Sequence, residues 1–219
     1  MAEVKLLDGP RRAPASGGAP TSLVVFLHGL GADGADLIAL AEPLSQVLPD
    51  TAFVSPDAPF PCDMAPMGRQ WFSLQDRDPA ALLGGVRLAA PVLGAFLDAE
   101  LARHGLGDDR LALVGFSQGT MMALFVALRR AEPCAAVVGY SGALIGAEVL
   151  PEDIASRPPV LLVHGEADEV VPVRALSAAV TALQANGVPV ESETRRGLGH
   201  GIDERGLALG ADFLARNLG

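Results

Sequence analysis

The chain predicts a three-layer α-β-α sandwich with a mostly parallel central sheet, and three observations carry that prediction. Apolar runs of strand length alternate with stretches whose hydrophobic residues fall at helical spacing. Residues 23–27 and 111–114 are apolar throughout, without the polar alternation of a half-exposed strand, as in strands covered on both faces. Several runs end in glycine-bearing loops, where an open sheet of this kind carries its working groups. With 219 residues, half of them hydrophobic and 19% charged, the chain suits one well-buried domain over residues 1–219 and is short for two.

In order along the chain, residues 4–7 read as a short first strand and residues 8–19, rich in Pro, Gly, Ala and Ser, as a surface connection. The run at 23–27 is a strand that ends in His28-Gly29-Leu30-Gly31. Asp33 can then cap a helix with Leu37, Leu40, Ala41, Leu44 and Leu48 inward, interrupted by Pro43. Residues 51–55 form the next strand. A proline-rich loop follows, and residues 59–74 in it hold Met64, Met67, Trp71 and Phe72, a composition that suits a wall over a pocket. A helical pattern runs from 79 to 103, disturbed at Pro91 and closed by His104-Gly105. Residues 111–114, 135–140, 159–163 and 188–194 read as further strands. Helices are expected from 121, from 173 to 183 and from 203 to 218.

Net charge is -10, from 26 acidic against 16 basic residues, and no Lys/Arg cluster exceeds a pair. Nucleic acid and anionic membrane surfaces are therefore excluded as expected partners. Cys62 and Cys134 form no disulfide framework, which fits reduced thiols and a cytoplasmic location. The first residues carry charges inside their only apolar stretch and do not read as a secretory signal. Residues 111–128 are uncharged and about as long as a membrane span, but Gly-Phe-Ser-Gln-Gly-Thr interrupts them.

That interruption carries the chemistry. Gly115-Phe116-Ser117-Gln118-Gly119 has the G-x-S-x-G pattern between a strand and a helix, the setting of a nucleophile elbow. A Cβ two residues to either side of the serine would collide across so sharp a turn, and the serine itself is forced into a strained backbone conformation. A serine hydroxyl needs a base to take its proton, and the base needs an acid to hold its tautomer. Of the four histidines, His104 sits at a helix end, while His28 and His164 each stand at a strand end before a glycine. Triads on this architecture run Ser, acid, His along the chain. Only His200, in Leu198-Gly199-His200-Gly201, has a strand-end acid between itself and Ser117, so it is the expected base. Asp168, in the loop after residues 159–163, is favoured as the acid over Glu166, with Asp153 and Asp203 behind. The backbone N–H groups of Gln118 and Leu30 are the expected oxyanion donors. Phe116, beside the serine, joins Met64, Met67, Trp71 and Phe72 as expected substrate contacts. The histidines lack HExxH or any ligand-like spacing, so no metal site is expected.

Five motifs in order between residues 27 and 200 resemble the phospholipase/carboxylesterase family of α/β-hydrolases, which includes the acyl-protein thioesterases. They are Leu27-His28-Gly29-Leu30-Gly31-Ala32-Asp33-Gly34, Gly68-Arg69-Gln70-Trp71-Phe72, the elbow, His164 to Pro172 and Gly199-His200. The resemblance implies the α/β-hydrolase fold and the same triad of Ser117, Asp168 and His200. It also implies hydrolysis of small carboxylic esters or thioesters, lysophospholipids among them, without cofactor or metal. A homodimer and a catalytically silent binding protein stay open as alternatives, the latter disfavoured by the intact triad. Two departures, Thr120 where the family usually has glycine and Ser73 where an acid often follows Trp-Phe, are expected near the pocket.

Overall fold

The structure, a computed structural model, describes residues 7–219. The strand expected at 4–7 falls almost wholly outside them, and Leu7 itself is not in a strand. In chain order the elements are β1 (Arg11–Arg12), β2 (Ser22–Leu27), α1 (Gly34–Leu37), α2 (Ala41–Ser45), β3 (Thr51–Val54), β4 (Phe60–Pro61), β5 (Arg69–Gln70) and α3 (Pro79–His104). There follow β6 (Leu111–Phe116), α4 (Gln118–Ala127), β7 (Ala136–Tyr140), α5 (Leu150–Asp153), β8 (Val160–Gly165), α6 (Arg174–Ala185), β9 (Val190–Arg195) and α7 (Glu204–Leu218). Seven strands form one sheet in the order β1-β3-β2-β6-β7-β8-β9, parallel except for β1. The small pair β4-β5 stands apart as an antiparallel hairpin.

Alternate residues of the central strands feed two cores. Leu23, Val25 and Leu27 of β2 join Leu111 and Leu113 of β6 under α3, α4 and α6. Val24 and Phe26, with Ala112 and Val114, face α1, α2 and α7. This two-sided burial explains why β2 and β6 are apolar without alternation. Each fully buried Leu or Phe contributes about 1.5–3 kcal/mol, so the central strands are the most strongly fixed part of the fold. The strands that carry the site are thereby held at their carboxyl ends.

Local differences from expectation have local causes. The helix after Asp33 does break, but at a 3-10 turn over Ile38–Leu40, with Pro43 inside α2. The proline ring opposes a carbonyl four residues back, at Ala39, which moves the irregularity upstream. Pro91 leaves α3 continuous over 26 residues. It lies on the solvent side, as does Arg87, the residue whose carbonyl has no N–H donor opposite it. β1 arises where composition predicts only a connection; Arg11 on it is ion-paired with buried Glu100 of α3 at 2.8 Å, a distant contact. α3 is long and apolar enough to cross a membrane by length and composition. Here its Val86, Ala89, Leu93, Phe96 and Leu97 are buried in the core.

Candidate active site

The turn from β6 into α4 holds Ser117 at φ 53°, ψ -115°, a left-handed conformation that a non-glycine residue adopts only under constraint. The constraint is visible on both sides. A Cβ at Gly115 would stand 2.5 Å from the Gly119 backbone, and one at Gly119 would stand 1.8 Å from the Leu27 carbonyl oxygen. No side chain fits either position, so the chain can turn sharply enough to lift Ser117 off the sheet. The Ser117 N–H donates to the Tyr140 carbonyl of β7 at 2.9 Å, tying the turn to the neighbouring strand.

The loops after β8 and β9 meet beside it. The Ala167 N–H donates to the Leu198 carbonyl at 2.9 Å, and a Cβ on Gly165 would stand 2.3 Å from both the Leu198 and Gly199 oxygens. That close backbone approach brings His200 Nδ1 to 2.8 Å from Asp168 Oδ2. With a carboxylate as acceptor, Nδ1–H donates and Nε2 is left as the proton acceptor. The Asp168 side chain is fully buried, and its Oδ1 accepts from the Val170 and Val171 N–H groups, both at 2.9 Å. Burial pushes the Asp168 carboxyl up, but the His200 bond and the two backbone donors outweigh it and hold it below the ordinary carboxylate range. Glu166 is exposed, Asp153 pairs with Arg87 and Arg129, and Asp203 caps α7, so none of these reaches His200.

His28 and His164 are both buried and neither lines the cavity over Ser117. His28 Nδ1 lies 2.7 Å from the Gly29 carbonyl oxygen and donates to it, while Nε2 accepts the Ala58 N–H at 3.0 Å. Burial holds its imidazole below the ordinary value, against the opposite pull of the Gly29 bond. His164 Nε2 donates to the Val171 carbonyl at 2.8 Å and stands 3.3 Å from Asp168 Oδ2. His104 ends α3 and is not among the residues that line the cavity.

Gln118 opens α4, so its N–H has no partner within the helix. Among the described residues neither that amide nor the Leu30 amide has an acceptor. Leu30 lines the same cavity as Ser117 and His200. The Gln118 side chain points elsewhere: Oε1 accepts the Trp71 N–H at 2.9 Å and Nε2 donates to the Phe72 carbonyl at 2.7 Å.

The phospholipase/carboxylesterase family model matches residues 13–218. The chain belongs to that family. It is 30% identical over 194 residues to esterase YpfH of Escherichia coli strain K12, covering 88% of this chain and 81% of that one. The crystal structure of esterase PE8 is 45% identical, with a TM-score of 0.93 over 97% of this chain and all of that one. Acyl-protein thioesterase 2 of Zea mays is 28% identical, with a TM-score of 0.77 over 96% of this chain and all of that one. The sheet and its helices are those of the α/β-hydrolase fold.

Both departures from the phospholipase/carboxylesterase pattern lie off the cavity wall. Thr120 is buried, and its hydroxyl lies 2.8 and 2.9 Å from the Gly115 and Tyr140 carbonyl oxygens, which share its single proton. Glycines make room for it, since a Cβ at Gly139 or Gly142 would stand 2.5 or 2.4 Å from its side chain. Ser73 is exposed and accepts the Gln75 N–H.

The cavity, about 600 Å³, opens over Ser117 and His200. Phe116, one of the expected substrate contacts, lies on its wall with its ring centroid 4.9 Å from that of His200. The rest of the expected wall is elsewhere. Trp71 and Phe72 are 0% and 2% exposed and belong to the core under α3. Met64 and Met67 are 51% and 81% exposed, because the β4-β5 hairpin turns the intervening loop outward. Of residues 59–74 only Leu74 reaches the cavity, and Leu82, Met121, Ile145, Val170 and Val171 supply the wall instead. The Val170-Val171 pair was the available signal, two apolar residues in an otherwise acidic strand-end loop.

Proposed function

We propose that this chain hydrolyses carboxylic esters and thioesters through a covalent acyl-enzyme on Ser117. The observation that carries the reading is the His200–Asp168 bond at 2.8 Å in a cavity shared with the strained Ser117. Ser117 Oγ attacks the substrate carbonyl carbon, and its proton passes to His200 Nε2. The carbonyl electron pair moves to oxygen, which the Leu30 and Gln118 N–H groups stabilise. Collapse re-forms the carbonyl and breaks the bond to the alcohol or thiol, which leaves with the proton from His200. Water then repeats the sequence on the acyl-serine and frees the acid. Apart from that water, these steps use only the chain's own groups. Asp168, held ionised, supports the imidazolium while His200 carries the proton.

Relatives named esterase and acyl-protein thioesterase support both substrate classes. The free thiols of Cys62 and Cys134 support a cytoplasmic location. The test is labelling by a fluorophosphonate. One adduct should map to Ser117, and Ser117→Ala should lose roughly 10⁴-fold or more in kcat on p-nitrophenyl butyrate. A Ser117→Ala protein with full esterase activity would falsify the assignment.

A further inference from the structure

The cavity over Ser117 has one property that ester cleavage alone does not require, its charge. Its walls are apolar, yet Arg77 and Arg174 are among the lining residues and no carboxylate is. The chain as a whole carries a net charge of -10, so the arginines on the cavity lining have the opposite sign to the molecule that contains them. Elsewhere Arg11 is matched to Glu100, Arg129 to Asp153, Arg130 to Asp98 and Arg216 to Glu191, while among the described residues Arg12, Arg69, Arg157, Arg196 and Arg205 form no ion pair and stand away from the cavity. Among the described residues neither Arg77 nor Arg174 has such a partner. The acids that flank Arg77 in sequence form no ion pair with it, and each accepts a backbone N–H. Asp76 accepts the Asp78 N–H, and Asp78 accepts the Ala80 N–H at the start of α3, both at 2.9 Å.

We propose that the substrate is an ester or thioester with an apolar arm ending in a carboxylate or phosphate, and that Arg77 and Arg174 hold that anion. The proposal rests on the esterase reading of the site. Leu74, Leu82, Ile145 and Val170 supply the apolar part of the path, and the planar guanidinium fork suits either anion. Such cations answer a specific difficulty. An anionic substrate is repelled by a protein of charge -10, and its charge opposes the oxyanion that forms at the scissile carbonyl. Two guanidiniums on the cavity lining, both on solvent-exposed residues, offset both effects beside the reacting ester.

The test compares each acid with a neutral ketone of the same shape in kcat/KM. For the acyl side the pair is mono-p-nitrophenyl adipate and p-nitrophenyl 6-oxoheptanoate. For the alcohol side it is 4-(carboxymethyl)phenyl hexanoate and 4-(2-oxopropyl)phenyl hexanoate. The wild type should favour the acid of at least one pair by about tenfold, the scale of two partly solvated charge pairs. The pair that shows the preference assigns the anion to the acyl or the alcohol side. Raising sodium chloride from about 20 to about 500 mM should shrink the ratio. In the double variant Arg77→Gln, Arg174→Gln the acid-to-ketone ratio should fall to one or below, while Arg77→Lys, Arg174→Lys should keep it above one. Hydrolysis of the ketones with no preference for either acid, or a preference that the glutamine variant leaves intact, overturns the proposal and leaves the esterase reading standing. No hydrolysis of any of the four overturns both.

Discussion

Trp71 offers the sharpest test of where the cavity wall lies. Its side chain is fully buried, its Nε1–H donates to the His28 carbonyl at 3.0 Å, and its ring sits 5.7 Å from the His28 ring. Trp71→Ala removes the whole indole from the core, a change that costs about 3–5 kcal/mol. Part of that cost is the His28 carbonyl left without its donor, about 1–3 kcal/mol for a buried polar group. For a protein of this size each kcal/mol lowers Tm by about 2–4 °C, so a fall of roughly 6–20 °C is expected. Activity should fall too, because His28 leads directly into Leu30 and the oxyanion loop. That loss should be the same on p-nitrophenyl acetate and octanoate, since no part of Trp71 faces the cavity. Thermal unfolding and kcat/KM across acetate, butyrate, hexanoate and octanoate measure both quantities. If instead the loss steepened by roughly fourfold per methylene while Tm stayed put, Trp71 would be touching the acyl chain and the reasoning from burial would fail.

Other expectations follow from the same geometry. Asp168→Asn should lower kcat by about 10³–10⁴-fold on p-nitrophenyl butyrate by presenting the wrong His200 tautomer, whereas Glu166→Gln, on an exposed side chain, should stay near wild type. His28 should make stability pH-dependent. An unfolded histidine takes a proton near pH 6.5 while folded His28, held below its ordinary value by burial, resists it. Below that pH the unfolded state binds more protons, so stability falls as pH drops. His28→Gln should flatten the difference in urea unfolding free energy between about pH 7.5 and pH 5.5, and an unchanged difference would place its cause elsewhere. Gly139→Ala should cost about 1–3 kcal/mol by driving a methyl against Thr120 and, less closely, Leu162, and should cost less in a Thr120→Ala background, where only the Leu162 contact is left. Equal costs in the two backgrounds would show that Thr120 is not the obstacle.

The parts of the site that could be read from the sequence are those whose causes are local. Gly115 and Gly119 act across a turn of five residues, and the strand and helix around them are visible as apolar runs. The meeting of Asp168 with His200 needs β8 and β9 side by side and a glycine at 165, and chain order stood in for that geometry. Trp71 and Phe72 could not be placed from composition, because an aromatic pair in a loop looks the same whether it covers a pocket or fills a core. What decides it is Gln118, whose amide captures the pair from 46–47 residues away. The arginine strand β1 was hidden for the same reason, since its support is Glu100 in α3.

The bonds around residues 68–72 also bear on how this region moves. The Gly31 N–H donates to the Arg69 carbonyl and the Arg69 N–H to the Ala32 carbonyl, both at 2.8 Å. Gly68 presses so closely on Gly31 that a Cβ would stand 2.0 Å from its carbonyl oxygen, and the Gln118 amide pins Trp71 and Phe72. Breathing of the Met64–Met67 tip is therefore arrested at Gly68, before it reaches the groups around Ser117. Amide exchange at Trp71, whose N–H is bonded to the Gln118 amide, is expected to follow that of the central strands rather than that of the loop before it. The tip itself is the segment open to redesign: it can be lengthened, shortened or exchanged for a foreign turn, and the machinery one hairpin away keeps its shape.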